Sequence, residues 1–187
     1  MKKIVVISCW CLVLGCSAEQ PEEKPIDMKI AKEELLKQNK VWHEDEMLDI
    51  DAFVKRHNWK VTTTGSGLKY VIYKKADTTL QGAKEGKIAR VNYTITLLND
   101  SICYTSNGEP DDFVIGMDNV ESGLHEGVTY MRKGEKAKII LSSNLAFGLV
   151  GDMDQIPPQS TLVYDIELVD ILDPETKKSV GDEKKPK

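Results

Sequence analysis

The sequence predicts an α+β protein in which a charged helical arm precedes a set of antiparallel strands. Apolar and polar residues alternate through Lys136–Leu141 and Thr161–Ile171, the period-two pattern of strands buried on one face. Between them Gly148, Gly151, Pro157 and Pro158 prevent a continuous element. Phe147, Leu149, Val150 and Ile156 nevertheless give this loop more apolar surface than a plain linker carries, so it reads as the lip of a binding site. Upstream, the stretch Met28–Asn58 contains no Gly or Pro, and Met28, Ala31 and Leu35, then Ile50, Phe53, Val54 and His57, recur at helical spacing.

Taken in order, the 187 residues, 41% of them hydrophobic, suffice for one core plus appendages. Residues 1–15 read as a signal peptide. Two lysines precede an apolar run about half the ~20 residues that a membrane-spanning helix needs. The run ends in Leu12-Val13-Leu14-Gly15-Cys16, which resembles a bacterial lipobox and implies that Cys16 is lipidated and becomes the mature N-terminus. Loss of Lys2 and Lys3 with the leader takes the net charge from −5 to −7, which disfavours nucleic acid as a partner. Cys9 and Cys11 leave too, so Cys103 is the one thiol expected in the folded part. No intramolecular disulfide is expected, and without a CxxC partner or a neighbouring cation Cys103 reads as a small buried hydrophobe. Residues 16–27, charged and with two prolines, suit a solvated tether from lipid to domain.

The helical arm is expected over 28–66, as two helices or one with a break near Trp42–Glu46, with Asp27 a candidate N-cap. Its charge suits a solvated face, packed lightly on the domain, or a partner-binding surface. A fragment beginning near Ser66 is therefore expected to fold alone. The main domain is expected over 67–172, with strands at Leu68–Tyr73, Lys87–Leu98 and Ile102–Thr105, a reversal at Asn99-Asp100 and a polar loop at Ser106–Asp111. Residues 173–187 form a charged tail expected to be disordered. His43, His57 and His125 are scattered among different elements, and no metal or other cofactor is implied.

Ala146-Phe147-Gly148, Ile156-Pro157-Pro158 and Thr161-Leu162-Val163-Tyr164-Asp165-Ile166-Glu167-Leu168 closely resemble the C-terminal signature of FKBP-type peptidyl-prolyl isomerases. Val91-Asn92-Tyr93-Thr94 resembles that family's first core strand, Phe113-Val114-Ile115-Gly116 its next, Val120 to Val128 its short helix, and Gly134 to Lys138 the strand that follows. The resemblance spans residues 68–172. It implies an antiparallel sheet wrapped around a short helix and an isomerase of proline-containing polypeptide clients; with the lipobox-like run at Cys16, the expectation is a membrane-tethered enzyme that assists folding outside the cytoplasm. The expected location is the bacterial cell envelope, at the outer membrane. The arm, the passage Trp59 to Tyr70 and Ile102-Cys103-Tyr104 resemble more loosely the lipoprotein branch associated with gliding motility.

By that resemblance Tyr93, Tyr104, Phe147 and Tyr164 are the candidate catalytic residues. Phe113, Val120, Glu121, Leu124 and Ile156 are the candidate substrate-binding ones, the backbone N–H of Glu121 receiving the substrate carbonyl. The chain departs from the family pattern where Cys103-Tyr104 replaces an aromatic followed by aspartate, where Phe147 lacks a tyrosine hydroxyl, and where Leu124 stands for a frequent tryptophan. These departures leave a second reading in play, a weakly active or inactive domain of the same fold used as a chaperone or assembly module, including one for gliding-motility machinery.

Overall fold

The computed structural model describes residues 28–175. The expected signal peptide, Cys16, the tether with its candidate N-cap Asp27, and all but the first residues of the expected tail lie outside the described residues. Two compact units divide between Gln38 and Asn39. In the first, residues 28–38 are helical, and Met28, Ile30, Leu35 and Leu36 are exposed. They begin a single helix α1, Met28–Arg56, which runs unbroken through Trp42–Glu46 where the sequence suggests a break. No Gly or Pro breaks the backbone there, and only Glu44 and Glu46 are strong helix formers, so the lapse in apolar spacing marks a lapse in burial and not an interruption of the helix.

The second unit holds strands β1 Thr62–Thr63, β2 Lys69–Lys74, β3 Ile88–Thr96, β4 Ile102–Thr105, β5 Asp111–Val114, helix α2 Ser122–Thr129, β6 Lys136–Leu141 and β7 Leu162–Leu172, with a 3-10 turn at Ser143–Leu145. All pairings are antiparallel in the order β1-β2-β6-β7-β3-β4, and β5 joins the start of β3 on the edge whose far end β4 occupies. The α+β class is as the sequence predicts. One boundary differs in a way that matters for the site: β5 begins at Asp111, a position the sequence assigns to the preceding loop, because its ladder to β3 reaches from Val114 back to Asp111.

Strand alternation gives the sheet two apolar faces. Ala137, Ile139 and Leu141 of β6 and Tyr164, Ile166 and Leu168 of β7 face α2, meeting its Leu124 and Val128. Close approach of that helix requires glycine. A Cβ on Gly123 would lie 2.5 Å from Leu141 Cδ2, and one on Gly127 2.8 Å from Ile139 Cδ1. The intervening residues Ile140 and Val163 point the other way and are covered by Ile50 (1% exposed) and Phe53 (2% exposed) of α1, with Met47, Val54, Trp59 and Leu98 around them. The compact unit therefore starts at Asn39, inside the arm expected over 28–66, since the sheet's second face needs the C-terminal half of α1 to exclude water.

Candidate active site

The register of β3 on β7 pairs Ile95 with Tyr164 and Tyr93 with Ile166, which sets the two tyrosine rings on one face with centroids 6.2 Å apart. Phe113 from β5, Leu124 from α2 and Ile156 from the lip are buried in the same apolar cluster as Tyr164. Half-buried Tyr93, Tyr104 and Val120 pack against it. Phe147 lies outside that cluster and is 36% exposed. The structure thus assembles the sequence's candidates from six separate segments into one apolar, aromatic neighbourhood, with Phe147 at a solvent-facing turn.

Each wall tyrosine donates its phenolic hydrogen to a carboxylate. Tyr93 Oη donates to Asp111 Oδ2 at 2.9 Å and Tyr164 Oη to Glu121 Oε1 at 2.6 Å. Tyr104 Oη donates to Asp152 Oδ2, with Asp154 Oδ2 at 3.4 Å. Burial, reinforced by the Asp111 hydrogen bond, pushes the Tyr93 phenol up to about 12. The hydrogen bond to Asp152, followed by burial, takes Tyr104 to about 12 as well. Tyr164 is held well above the ordinary phenol range, first by burial and then by the Glu121 charge. Sequence reasoning names these tyrosines but misses Asp111 and Asp152 as their partners. Asp111 carried a usable signal, since it lies two residues before Phe113 and so on the same face of an alternating strand. It also gives Tyr93 a carboxylate from β5, although Tyr104 stands where the family pattern has an aspartate on β4.

Glu121 caps α2 from an extended conformation, φ −59° and ψ 138°, and its carbonyl accepts from the N–H groups of Leu124 and His125. Its own N–H meets no acceptor among the described residues. That leaves a free donor beside the tyrosine rings, on the residue whose side chain accepts from Tyr164.

The lip is anchored at both ends by one residue that the sequence does not point to. Glu46 of α1, its side chain 14% exposed, accepts from the Ser143 N–H at 2.6 Å, Ser143 Oγ at 3.0 Å and Thr161 Oγ1 at 2.7 Å. Ser143 passes that anchor on, because its carbonyl receives the N–H of Ala146 at 3.1 Å and of Gly148 at 2.7 Å, the two neighbours of Phe147. Further along, Asp152 Oδ1 accepts from the N–H groups of Asp154 and Ile156 and holds the turn that buries Ile156. At Gly151, φ is +70° and a Cβ would sit 2.2 Å from the Ile156 carbonyl oxygen. Gly151→Ala is accordingly expected to displace Ile156 and destabilise the protein by more than 1 kcal/mol. A thermal melt checks this, and an unchanged midpoint would show that the lip tolerates the shift.

A family model described as FKBP-type peptidyl-prolyl cis-trans isomerase matches residues 80–169. The chain is 37% identical over 107 residues to FK506-binding protein 2 of Dictyostelium discoideum, a match covering 56% of this chain and 77% of that one. It is 39% identical over 92 residues to the peptidyl-prolyl cis-trans isomerase FPR2 of Saccharomyces cerevisiae, covering 48% and 68% respectively. Its fold is similar to the crystal structure of FkpA from Escherichia coli, with a TM-score of 0.61 and 30% identity over 78% of this chain and 67% of that one. The aromatic neighbourhood lies within the matched span, and the chain belongs to the FKBP-type peptidyl-prolyl cis-trans isomerase family.

Proposed function

We propose that this isomerase acts outside the cytoplasm, tethered to the outer membrane through a lipidated Cys16, and assists the folding of client polypeptides there. The observation that carries the location is the lipobox-like run ending at Cys16, followed at once by a charged, proline-containing stretch. Among the described residues no helix is long and apolar enough to cross a membrane. The looser likeness of the arm and of Ile102-Cys103-Tyr104 to the gliding-motility branch supports clients belonging to such machinery.

Rotation about an X-Pro amide faces a barrier of roughly 20 kcal/mol and takes tens to hundreds of seconds, so a catalyst must bind the twisted amide better than either planar form. The planar amide is the more dipolar, and apolar walls from Tyr93, Phe113, Val120, Leu124, Ile156 and Tyr164 disfavour it. In this reading the Glu121 N–H holds the substrate carbonyl, while Tyr104 and Phe147 flank the entrance. No cofactor takes part. The rival reading, a binding module without turnover, draws on the lost hydroxyl at Phe147 and the aspartate position filled by Tyr104. The carboxylate supplied to Tyr93 by Asp111 favours the enzyme.

Cys16→Ser is the test of the tether. Expressed from the full gene in a bacterium that processes lipoproteins, the wild-type protein is expected in the detergent phase and the variant in the aqueous phase. Equal partitioning of the two would remove the lipid anchor from the proposal. Exchange spectroscopy on an X-Pro peptide then separates enzyme from binding module.

A further inference from the structure

Carboxylates on the two sides of this sheet are treated differently. On the face away from the aromatic neighbourhood, which we read as the substrate slot, Lys138 neutralises Asp165 at 2.9 Å and Lys136 neutralises Glu167 at 3.1 Å. Lys133 meets Asp170 at 2.6 Å, and Arg90 meets Asp112 at 2.8 Å. The side chains of Asp111, Glu121, Asp152 and Asp154 instead meet tyrosine hydroxyls, with backbone N–H groups added at Asp152, and form no ion pair among the described residues. A phenol satisfies a hydrogen bond without cancelling charge.

The sequence explains why the segments that form the slot bring no cation of their own. No Lys or Arg occurs between Arg90 and Arg132, nor between Lys138 and the last described residue, Glu175, and these two segments supply every wall of the slot. His125 adds no compensating charge in this arrangement. Its Nδ1 accepts the Gly116 N–H at 2.8 Å, which leaves Nε2 to donate to the Asp118 carbonyl and the ring neutral. The raised phenols of Tyr93, Tyr104 and Tyr164 fit surroundings in which negative charge stands uncancelled.

We propose that the slot selects prolyl bonds flanked by a cationic residue, lysine or arginine, with Asp111, Glu121, Asp152 and Asp154 as the groups that confer the preference. This rests on the reading of Tyr93, Tyr104 and Tyr164 as the slot's walls. Uncompensated carboxylates beside low-dielectric aromatic walls focus their field on whatever enters, which raises the encounter rate and favours the correctly charged chain. An ammonium group one residue from the proline, facing two or three partly solvated carboxylates, is expected to gain roughly five- to tenfold in kcat/KM over an uncharged side chain of equal length. Clients with acidic residues beside proline are disfavoured by a similar factor.

The test is exchange spectroscopy with the full chain on peptides Ala-Xaa-Pro-Phe, where Xaa is lysine, norleucine or glutamate, at low salt and at about 0.5 M salt. The expected order at low salt is lysine, norleucine, glutamate, with the differences shrinking as salt rises. Asp111→Asn and Asp152→Asn should each narrow the lysine-to-norleucine ratio, while Asp111→Glu, which keeps the charge, should restore it. Norleucine turned over as fast as lysine at low salt would overturn the preference and leave the isomerase reading intact. Acceleration of none of the peptides would sink the isomerase reading alone. Binding of the same peptides, followed by backbone amide shifts, then decides the preference: tighter lysine binding sustains it and equal binding overturns it.

Discussion

A fragment that begins at Ser66 is expected to lose its cooperative melt, whereas one that begins at Asn39 keeps it. The shorter fragment lacks Ile50 and Phe53, both almost fully buried against Ile140 and Val163. Truncating a buried Ile costs about 2–5 kcal/mol and a buried Phe about 3–5 kcal/mol, so together they rival the 5–15 kcal/mol that holds a typical domain folded. The same cut removes Glu46 and leaves the N–H of Ser143 and the hydroxyls of Ser143 and Thr161 without their acceptor. Removal of residues 28–38 touches none of this, since all of these contacts come from residues after Gln38. The double variant Ile50→Ala, Phe53→Ala in the full chain isolates the packing from the truncation, and its midpoint should fall by well over 10 °C on the usual scaling for a domain of this size. A Ser66 fragment that melts sharply near the full-length temperature would return α1 to the status of an appendage.

That outcome also bears on what a sequence can and cannot disclose. Strands β6 and β7 are legible because alternation reports one buried face, and β2, β3 and β4 because β-branched and aromatic runs end at turn residues; the matching motifs reach from the first core strand to the lip. The second buried face is less legible. Ile140 and Val163 read as ordinary members of strands, and only the fold shows that they need a cover, which Ile50 and Phe53 supply from more than 80 residues upstream. Glu46 is hidden for the same reason. One acidic residue among many on a charged helix has no local mark that it will anchor both ends of a distant loop. At the site the aromatic walls follow from spacing and family likeness, but their hydrogen-bond partners do not, because Asp111 and Asp152 are fixed by pairing register and loop conformation. Phe147 illustrates the converse: its motif is plain in the sequence, while its exposure at the turn is not.

Tyr164 and Glu121 are expected to act as one unit in catalysis. Tyr164→Ala opens a cavity in the apolar cluster, should cost about 3–5 kcal/mol of stability, and should abolish catalysed cis–trans exchange by removing a wall of the slot. Tyr164→Phe is more informative, because the ring stays and only the hydrogen bond to Glu121 goes. A bond to a charged acceptor contributes about 1.5–3 kcal/mol, and its loss frees the residue whose N–H is proposed to hold the substrate carbonyl. Looser placement of that donor should lower kcat/KM about tenfold, equivalent to about 1.4 kcal/mol in the transition state. Glu121→Ala removes the same bond from the other end and should reproduce the loss. If the pair works only as a unit, the double variant Tyr164→Phe, Glu121→Ala should be no slower than either single one. Exchange rates on an uncharged X-Pro peptide, measured well below each variant's melting midpoint, decide the matter. A double variant slowed by the product of the two single effects would mean that the hydroxyl and the carboxylate serve catalysis separately, and that the Glu121 N–H is not positioned through Tyr164.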